Sequence, residues 1–239
     1  DRMASNLDVV QLAATLGREF KYELINAVSS LDEQELQIEL TKLVNAEMLF
    51  PRGRGTQVSY QFKHALIQDA AYLSLLKTRR QGFHLRIASV LEEKFTTTRD
   101  TQPELLAYHF TEAGATEQAV RYWLKAGQRS NQRSANVEAI DQLSKGLLLL
   151  NHLDPSADRD QLELQFQIAL AIPLTATRGY VAKEVEQAYI RAREICLQAR
   201  DPKHLLPVLH GLYRFYVVQG DNQQAHELGR RRGRRVRAH

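Results

Sequence analysis

Cysteine is nearly absent from this sequence. Cys196 is the one cysteine among 239 residues, so no disulfide can form within the chain. A lone thiol is typical of proteins kept in a reducing compartment, and we therefore expect a cytoplasmic location. Long apolar runs are also missing: "GLLLL" (146–150) is the longest obvious one, far short of the roughly 18 residues of a membrane span. A membrane is not expected as a partner.

A basic-plus-apolar leader is missing as well, and the chain opens on Asp1 rather than on methionine. We therefore interpret the sequence as a piece of a longer protein. Proline (6) and glycine (12) are few, whereas Leu, Ala, Glu, Gln and Arg dominate. These are strong helix formers. The composition predicts a mainly α fold, with one large domain or two modest ones.

Positive charge is concentrated at one end. The net charge is +4, but the tail "GRRRGRRVRAH" (229–239) holds six arginines and no acid. Without these six the chain has 26 basic and 28 acidic residues, a net charge of −2. The tail either binds phosphates or anionic lipid, or is a solvated, disordered terminus. The body of the chain is not basic enough to predict nucleic-acid binding.

No catalytic or cofactor motif is present. The sequence has neither phosphate loop, nor dinucleotide-binding glycine pattern, nor nucleophile elbow. His84 and His109 belong to different predicted helices, and His204 and His210 to the last hairpin, without metal-ligand spacing. Cys196 lies beside Ile195 on an amphipathic helix, as a core residue does. We expect no catalysis, no metal and no cofactor in this chain itself.

Residues 1–63 predict three helices and a β-hairpin. Gly17 ends the first helix, "KYELINAVSS" forms the second, and Ser30 caps the third with Glu33 three residues on. A Pro/Gly/Arg turn then precedes a stretch in which every second residue is apolar, as in a strand. The alternating residues are Val58, Tyr60 and Phe62. These parts make up a winged-helix module.

The third predicted helix has the wrong charge for DNA. It carries five acids and a single base, Lys42, between Leu31 and Met48, whereas DNA-binding helices present Lys, Arg, Asn and Gln to phosphates and base edges. Arg52 and Arg54 in the wing do not outweigh those acids. DNA is therefore disfavoured as a partner.

The rest of the chain is predicted to be helical. Residues 64–100 form connecting helices, one of them ending at the basic cluster "KTRR" (77–80), and "TTTRDTQ" (96–102) is a polar break. Residues 101–228 form degenerate tetratricopeptide-like repeats. Arg79 and Arg80 either clamp a phosphate or lie in solvent at a helix end.

The repeat signature is spread over two predicted helices. Trp123 and Gly127 take the Trp and Gly positions of the first, and Ala139, Leu143 and Gly146 give the small, large and small positions of the second. Small residues let paired helices approach closely, and bulky ones fill the space between hairpins. Stacked hairpins present a concave surface, so a protein or peptide partner is expected.

His64 and Asp69, in "YQFKHALIQDAAYLSLL" (60–76), are the most prominent polar pair. Five residues correspond to about 500° of helical rotation, so the two side chains do not share a face closely and make a poor acid/base dyad. His64 lies where the last strand gives way to a helix.

Four phrases carry a family resemblance: "LGREFKYELINAV", "LVNAEMLF", "YQFKHALIQDAAYLSLLKTRRQGFHLRIASVLEE" and "LLAYHFTEAGATEQAVRYWLKAG". They resemble the winged-helix and repeat portion of bacterial signal-transduction ATPases of the STAND class. In that class an AAA-like NTPase domain, often preceded by a class III adenylate/guanylate cyclase or a kinase, is followed by a winged helix and tetratricopeptide repeats. The resemblance implies a non-catalytic regulatory fragment whose winged helix packs on an NTPase domain that binds ADP or ATP.

The resemblance also implies a role for His64. Related apoptotic and plant resistance ATPases carry a Met-His-Asp motif whose histidine reaches the ADP phosphates, and "FKHALIQDAA" is similar, with Lys63 in place of Met and Ala65 in place of Asp. His64 is then either an ADP-phosphate sensor for the neighbouring domain or a structural histidine at the junction. The alternative for the whole chain is a fragment of a STAND-type transcriptional regulator that binds DNA.

Overall fold

Helices dominate the computed structural model of this chain, which describes residues 2–53 and 58–236, with side chains for 7–53 and 58–229. The mainly α prediction is confirmed. The helices are α1 (Arg2–Leu16), α2 (Tyr22–Val28), α3 (Glu33–Asn45), α4 (Ala65–Leu73), α5 (Lys77–Lys94), α6 (Thr96–Thr101), α7 (Pro103–Ala113), α8 (Thr116–Gln132), α9 (Asn136–Leu150), α10 (Ala157–Arg178), α11 (Lys183–Gln198), α12 (Pro202–Gln219) and α13 (Asn222–Val236). In the described residues none of these helices combines the length and the apolar character that a membrane crossing requires. The chain divides into two compact units, residues 1–115 (unit 1) and 116–239 (unit 2).

The helices of the first half of unit 1 follow their sequence signals, with one exception. Gly17 ends α1 in a left-handed conformation (φ +127°) that favours glycine. The cap of α3 is Asp32, whose side chain accepts a hydrogen bond from the Glu35 amide. The prediction that Ser30 caps this helix was wrong, because the helix begins at Glu33 and an N-cap residue immediately precedes the first turn.

Three short strands, β1 (Glu19–Lys21), β2 (Leu49–Arg52) and β3 (Ser59–Phe62), form an antiparallel sheet in the order β1-β3-β2. The predicted alternation in β3 is confirmed: Tyr60 and Phe62 are buried, whereas their neighbours are partly exposed. Strand β1 was not predicted; it has only three residues and pairs Phe20 with Tyr60. The hairpin turn with Arg54 falls in residues 54–57, outside the described part of the chain.

The cluster "KTRR" lies at the start of a helix, not at an end as predicted. Helix α4 stops at Leu73, and α5 begins at Lys77. Ser74 ends α4 because its hydroxyl turns back to the Ala71 carbonyl (2.6 Å), and Leu75 then inserts into the core. The chain reverses before the basic residues, so they open the next helix.

The segment between α5 and α7 is helical where a polar break was predicted, since "TTTRDT" forms the one-and-a-half-turn helix α6. Helix α7 packs against α5 and belongs to unit 1, which ends at Ala115. The predicted start of the repeats at residue 101 therefore precedes the unit boundary by one helix, α7. Gly114, with φ +77°, ends α7.

Unit 2 is a series of helices in which each packs on the next from α8 to α13. Glycines allow the close approaches: a methyl group at Gly127 would overlap the Leu143 side chain, and one at Gly146 would overlap the Phe166 ring. The repeat pattern in the sequence places Gly127 and Gly146 at positions that require small residues for this reason. Helix α13 continues to Val236, where an irregular tail was predicted from residue 229; residues 237–239 lie outside the described part.

Candidate functional site

His64 lies at the first turn of α4, as its position after the last strand predicts. Its backbone is extended (φ −129°, ψ 135°), and its side chain is exposed and makes no capping hydrogen bond. Lys63, which stands at the Met position of the Met-His-Asp pattern, forms an ion pair with Glu47 at 2.6 Å and lies over the Phe50 ring. Asp69 is also exposed. The His64 imidazole is thus available to a group outside this chain.

Helix α4 turns an apolar face to solvent. Leu66 is 79% exposed and Leu73 is 70% exposed, and seven residues of helix bring them onto the same face, with exposed Ala70 between them. Leu76, just beyond the helix, is 75% exposed. We call these four residues the α4 face. Leucines this open are common singly, but a contiguous group marks an interaction surface.

Helix α3, which the winged-helix prediction would make the DNA-reading helix, presents acids to solvent. Glu33 and Glu35 are exposed in its first turn. The one base of the helix, Lys42, is held by Glu39 at 2.6 Å. Ile38, 55% exposed, lies on the same open surface. Such a surface repels phosphates, which agrees with the charge argument made from the sequence.

Two histidines that the sequence analysis treated separately meet in the core of unit 1. His84 of α5 is fully buried and His109 of α7 is 2% exposed. Their Nδ1 atoms are 2.8 Å apart, a hydrogen bond in which one ring must donate and the other accept. The other ring nitrogen of His84, Nε2, is 2.9 Å from the hydroxyl of Tyr72 on α4. A continuous polar chain thus joins α4, α5 and α7.

Both imidazoles are held neutral by this environment. Burial, reinforced by the nearby Arg80 guanidinium, lowers the pKa of His84 to about 4. Burial, with His84 as a second cause, lowers the pKa of His109 to about 3. Burial likewise raises the pKa of Tyr72 to about 12, so its hydroxyl stays protonated. The hydrogen-bonded network of Tyr72, His84 and His109 is therefore uncharged at physiological pH.

A signal for this pair was present in the sequence. His84 precedes Ile87 and Leu91 by one and two turns, and His109 follows Leu106 by one turn, so each histidine continues an apolar, inward-facing stripe. The sequence could not show that the two histidines are hydrogen-bonded to each other, because 25 residues and a reversal of the chain separate them.

Arg79 and Arg80 both contact residues of unit 1. Arg79 pairs with Asp8. The Arg80 guanidinium stacks on the Tyr72 ring, 4.3 Å from its centroid, and donates to the Tyr72 carbonyl at 3.3 Å. These contacts disfavour a phosphate clamp at this pair.

Unit 2 buries one acidic side chain, Glu163, as an ion pair. Glu163, 8% exposed, accepts from Arg191 through both of its oxygens, at 2.6 and 2.9 Å, and lies 3.4 Å from Arg159. The hydrogen bonds to Glu163 raise the pKa of Arg191. Cys196 is buried as predicted, and burial raises the pKa of its thiol to about 11, so it is a poor nucleophile. Trp123 is 7% exposed, as expected of a repeat core position.

Donors for a metal do not converge: within the described ranges, no three His, Cys, Asp or Glu side chains form a group that could hold an ion. The two histidines of α12, His204 and His210, have local surroundings that do not include a metal-ligand group among the described residues. The Nδ1 of His204 lies 2.6 Å from Asp201, the residue that caps α12, and His210 lines a small cavity with Tyr189.

Comparison with known proteins gives one informative similarity. The chain is 31% identical over 139 residues to an uncharacterized protein of Rhizobium meliloti (strain 1021), a match that covers 58% of this chain. The matched region spans 14% of that relative's length. No family model matches the chain, and no solved structure matches it either.

Proposed function

We propose that this chain is a regulatory and interaction portion of a nucleotide-switched signal-transduction ATPase. Unit 1 acts as a winged helix on an NTPase domain of the same longer protein, and unit 2 acts as a tetratricopeptide-like partner-binding solenoid. The chain itself catalyses no reaction. A relative that is about seven times longer than the matched region supports a role as one part of a larger protein.

The α4 face carries the proposal. Leu66 and Leu73 expose most of their side chains on one side of a helix whose neighbour, His64, also points to solvent. Burying an exposed leucine contributes on the order of 2 kcal/mol, so three leucines suffice to hold a domain in place. The face is apolar, which suits a protein surface and not a nucleic acid. The NTPase domain is therefore the partner that best fits it.

His64 then contacts the nucleotide held by that domain. An imidazole at the edge of a docked apolar face reaches a neighbouring ligand without entering the interface, and it can donate a hydrogen bond to a phosphate oxygen. In the resting state, bound ADP stabilises the contact between the winged helix and the NTPase domain. Exchange to ATP releases the contact.

Unit 2 is the part that binds the regulatory partner in this proposal. Helix α12 keeps one side in the core and leaves Leu206, Tyr213 and Val217 between 38% and 47% exposed along the other. Aromatic and aliphatic side chains on such a ridge fit a protein or peptide ligand. Binding there would shift the nucleotide state, and a cyclase or kinase elsewhere in the longer protein would deliver the output.

The decisive experiment measures ADP release from the full-length parent protein. Replacing Leu66 and Leu73 together by lysine should accelerate release of a fluorescent ADP at least tenfold, because two charges at a docked face cost several kcal/mol. Ile38→Lys, an exposed apolar position on α3, is the matched control and should leave release unchanged. Equal release rates in all three proteins would overturn the proposal. So would salt-dependent binding of this chain to duplex DNA that survives deletion of residues 230–239.

The sensor role of His64 has its own test. His64→Ala should weaken ADP binding to the parent protein about tenfold, the value of one hydrogen bond to a charged group. His152→Ala, at an exposed position in unit 2, should have no effect. Unchanged affinity in His64→Ala would assign His64 a structural role and leave the docking of the α4 face untouched.

A further inference from the structure

Helix α4 is attached to unit 1 by unusually little apolar surface. Of its nine residues Ala71 alone is buried, and Leu66 and Leu73 point away from the core. Helix α5, by contrast, buries Ile87, Ala88 and Leu91, and packs on α7. The hydrophobic effect therefore fixes α5 and α7 much more firmly than α4.

Polar contacts attach α4 instead. The Gln68 side chain donates to the Ala14 carbonyl at 3.2 Å, and Gln11 of α1 donates to the hydroxyl of Ser74 at 2.8 Å. The Gln11 side-chain oxygen is buried without a hydrogen-bond partner among the described residues. An unsatisfied buried acceptor lowers the stability of the closed arrangement and favours an element that can detach.

A third polar attachment is the bond from Tyr72 to the buried histidine pair. The Tyr72 hydroxyl covers the Nε2 atom of His84, the side of the ring that is not engaged by His109. When α4 lifts, water reaches this nitrogen, whereas His109 stays enclosed between α5 and α7. The position of α4 therefore decides whether the Nε2 atom of His84 is shielded from water or exposed to it.

The charged and titratable groups around the pair do not favour a proton there. From α5, Arg80 places a guanidinium on the Tyr72 ring and lowers the pKa of His84. From α7, Tyr108 stacks edge-on at 5.6 Å from His84, and Glu112 acts on the two tyrosines. A proton on His84 would keep its hydrogen bonds, since Tyr72 and His109 can both accept, but it would bury a second cation beside Arg80.

We propose that Tyr72, His84 and His109 form a proton-sensitive latch, and that protonation of His84 releases α4 while α5 and α7 stay packed. The released state hydrates His84 and frees the Arg80 guanidinium from the Tyr72 ring, so that water can screen both charges. Because Leu66, Leu73 and His64 travel with the helix, the latch controls whether they are presented in a fixed orientation. The latch is a property of unit 1 and does not depend on which partner the α4 face binds.

Hydrogen exchange of the whole chain, read by mass spectrometry for peptides from each helix, tests the latch. Between pH 7.5 and 5.5 the opening equilibrium of α4 should rise about tenfold, after correction for intrinsic exchange rates, because one histidine regains its ordinary pKa near 6.5 in the open state. Peptides from α5 and α7 should keep their protection. Equal opening of α4 at both pH values would overturn the proposal, as would simultaneous loss of protection in all three helices.

Two variants make the test specific. Tyr72→Phe removes one hydroxyl and should raise opening of α4 about fivefold already at pH 7.5, the effect of one hydrogen bond. Tyr22→Phe, which removes a hydroxyl from the surface of unit 1, is the control and should leave α4 unchanged. His84→Gln should abolish the pH dependence of α4 opening, with protected α1 and α3 peptides showing that unit 1 is folded. Persistent pH dependence in His84→Gln would exclude His84 as the titrating group.

Discussion

The two most deeply buried polar side chains of unit 1 and the buried carboxylate of unit 2 are satisfied in opposite ways. Unit 1 encloses two imidazoles and a phenol that are neutral and hydrogen-bonded to one another. Unit 2 encloses a carboxylate, Glu163, between two guanidiniums. An arginine stays charged at any pH the protein meets, whereas an imidazole can gain a proton just below neutrality. The buried histidines therefore make the core of unit 1 responsive to pH near neutrality, whereas the guanidiniums around Glu163 in unit 2 do not titrate in that range.

The largest expected effect comes from removing one member of the neutral pair. His109→Ala leaves a cavity in the α5–α7 interface and deprives the buried Nδ1 atom of His84 of its partner, a combined cost of about 4 kcal/mol. Hydrogen exchange of α5 and α7 should show the loss, with α10 and α11 unaffected. His152→Ala should be neutral. A loss shared equally by both units would contradict their independence.

A change of pH should separate the two units without any mutation. The folded-state pKa values, about 4 for His84 and about 3 for His109, lie below the ordinary value near 6.5. The unfolded chain therefore binds more protons as the pH falls below 6.5, so the stability of unit 1 is complete above that pH and declines below it. From pH 7.5 to 5.5 two histidines contribute a loss of about 3 kcal/mol.

Unit 2 provides the internal reference for this pH experiment. Trp123 is the single tryptophan of the chain, so its emission during urea unfolding reports unit 2 alone, while exchange at α5 and α7 reports unit 1. The midpoint read from Trp123 should move little over the same pH range. A larger shift for Trp123 than for unit 1 would reverse the comparison.

Glycine substitutions probe packing in the two units. Gly146→Ala should destabilise unit 2 by about 2 kcal/mol, because the new methyl group overlaps the Phe166 ring and approaches the Trp123 side chain. Gly82→Ala in α5 has open space around it and should stabilise unit 1 by up to about 1 kcal/mol through helix propensity. Urea unfolding followed by Trp123 emission and by exchange measures both. Opposite signs are expected, and equal signs would contradict the packing argument.

The smallest effect is expected from neutralising the buried acid. Glu163→Gln keeps the shape of the side chain, and its oxygen can still accept from Arg191, which is 38% exposed and partly solvated. The loss should be about 1 kcal/mol after screening, confined to unit 2. Addition of 1 M salt should reduce the difference between the two proteins. A loss several times larger would mean that unit 2 depends on its ion pair more than unit 1 depends on its histidines.

Local signals predicted much of the fold. Gly17 ends α1, the alternation through Tyr60 and Phe62 predicts β3, and Gly127 and Gly146 take positions where helices approach closely. Each of these signals depends on backbone conformation or side-chain size within a few residues. Such constraints can be recognised in a single sequence.

Features that depend on the reversal of the chain were not predicted. The cluster "KTRR" suits a helix end by its charge, but Asp8, distant in sequence, and Tyr72, on the preceding helix, stabilise Arg79 and Arg80 at a helix start. The histidine pair was missed for the same reason, since neither His84 nor His109 has a recognisable partner within its own helix. The exposure of His64 could be predicted from its place between a strand and a helix. The apolar α4 face beside it could not.

The strand order has a consequence for synthesis. The central strand β3 is the last of the three to leave the ribosome, because β1 lies about 40 residues earlier and has no strand neighbour other than β3 in the described sheet. Non-local pairings of this kind form late, after the intervening helices have become available. Until residue 62 has emerged, the edges of β1 and β2 are bare, and a nascent chain stalled between residues 21 and 59 would expose strand edges capable of pairing with other chains.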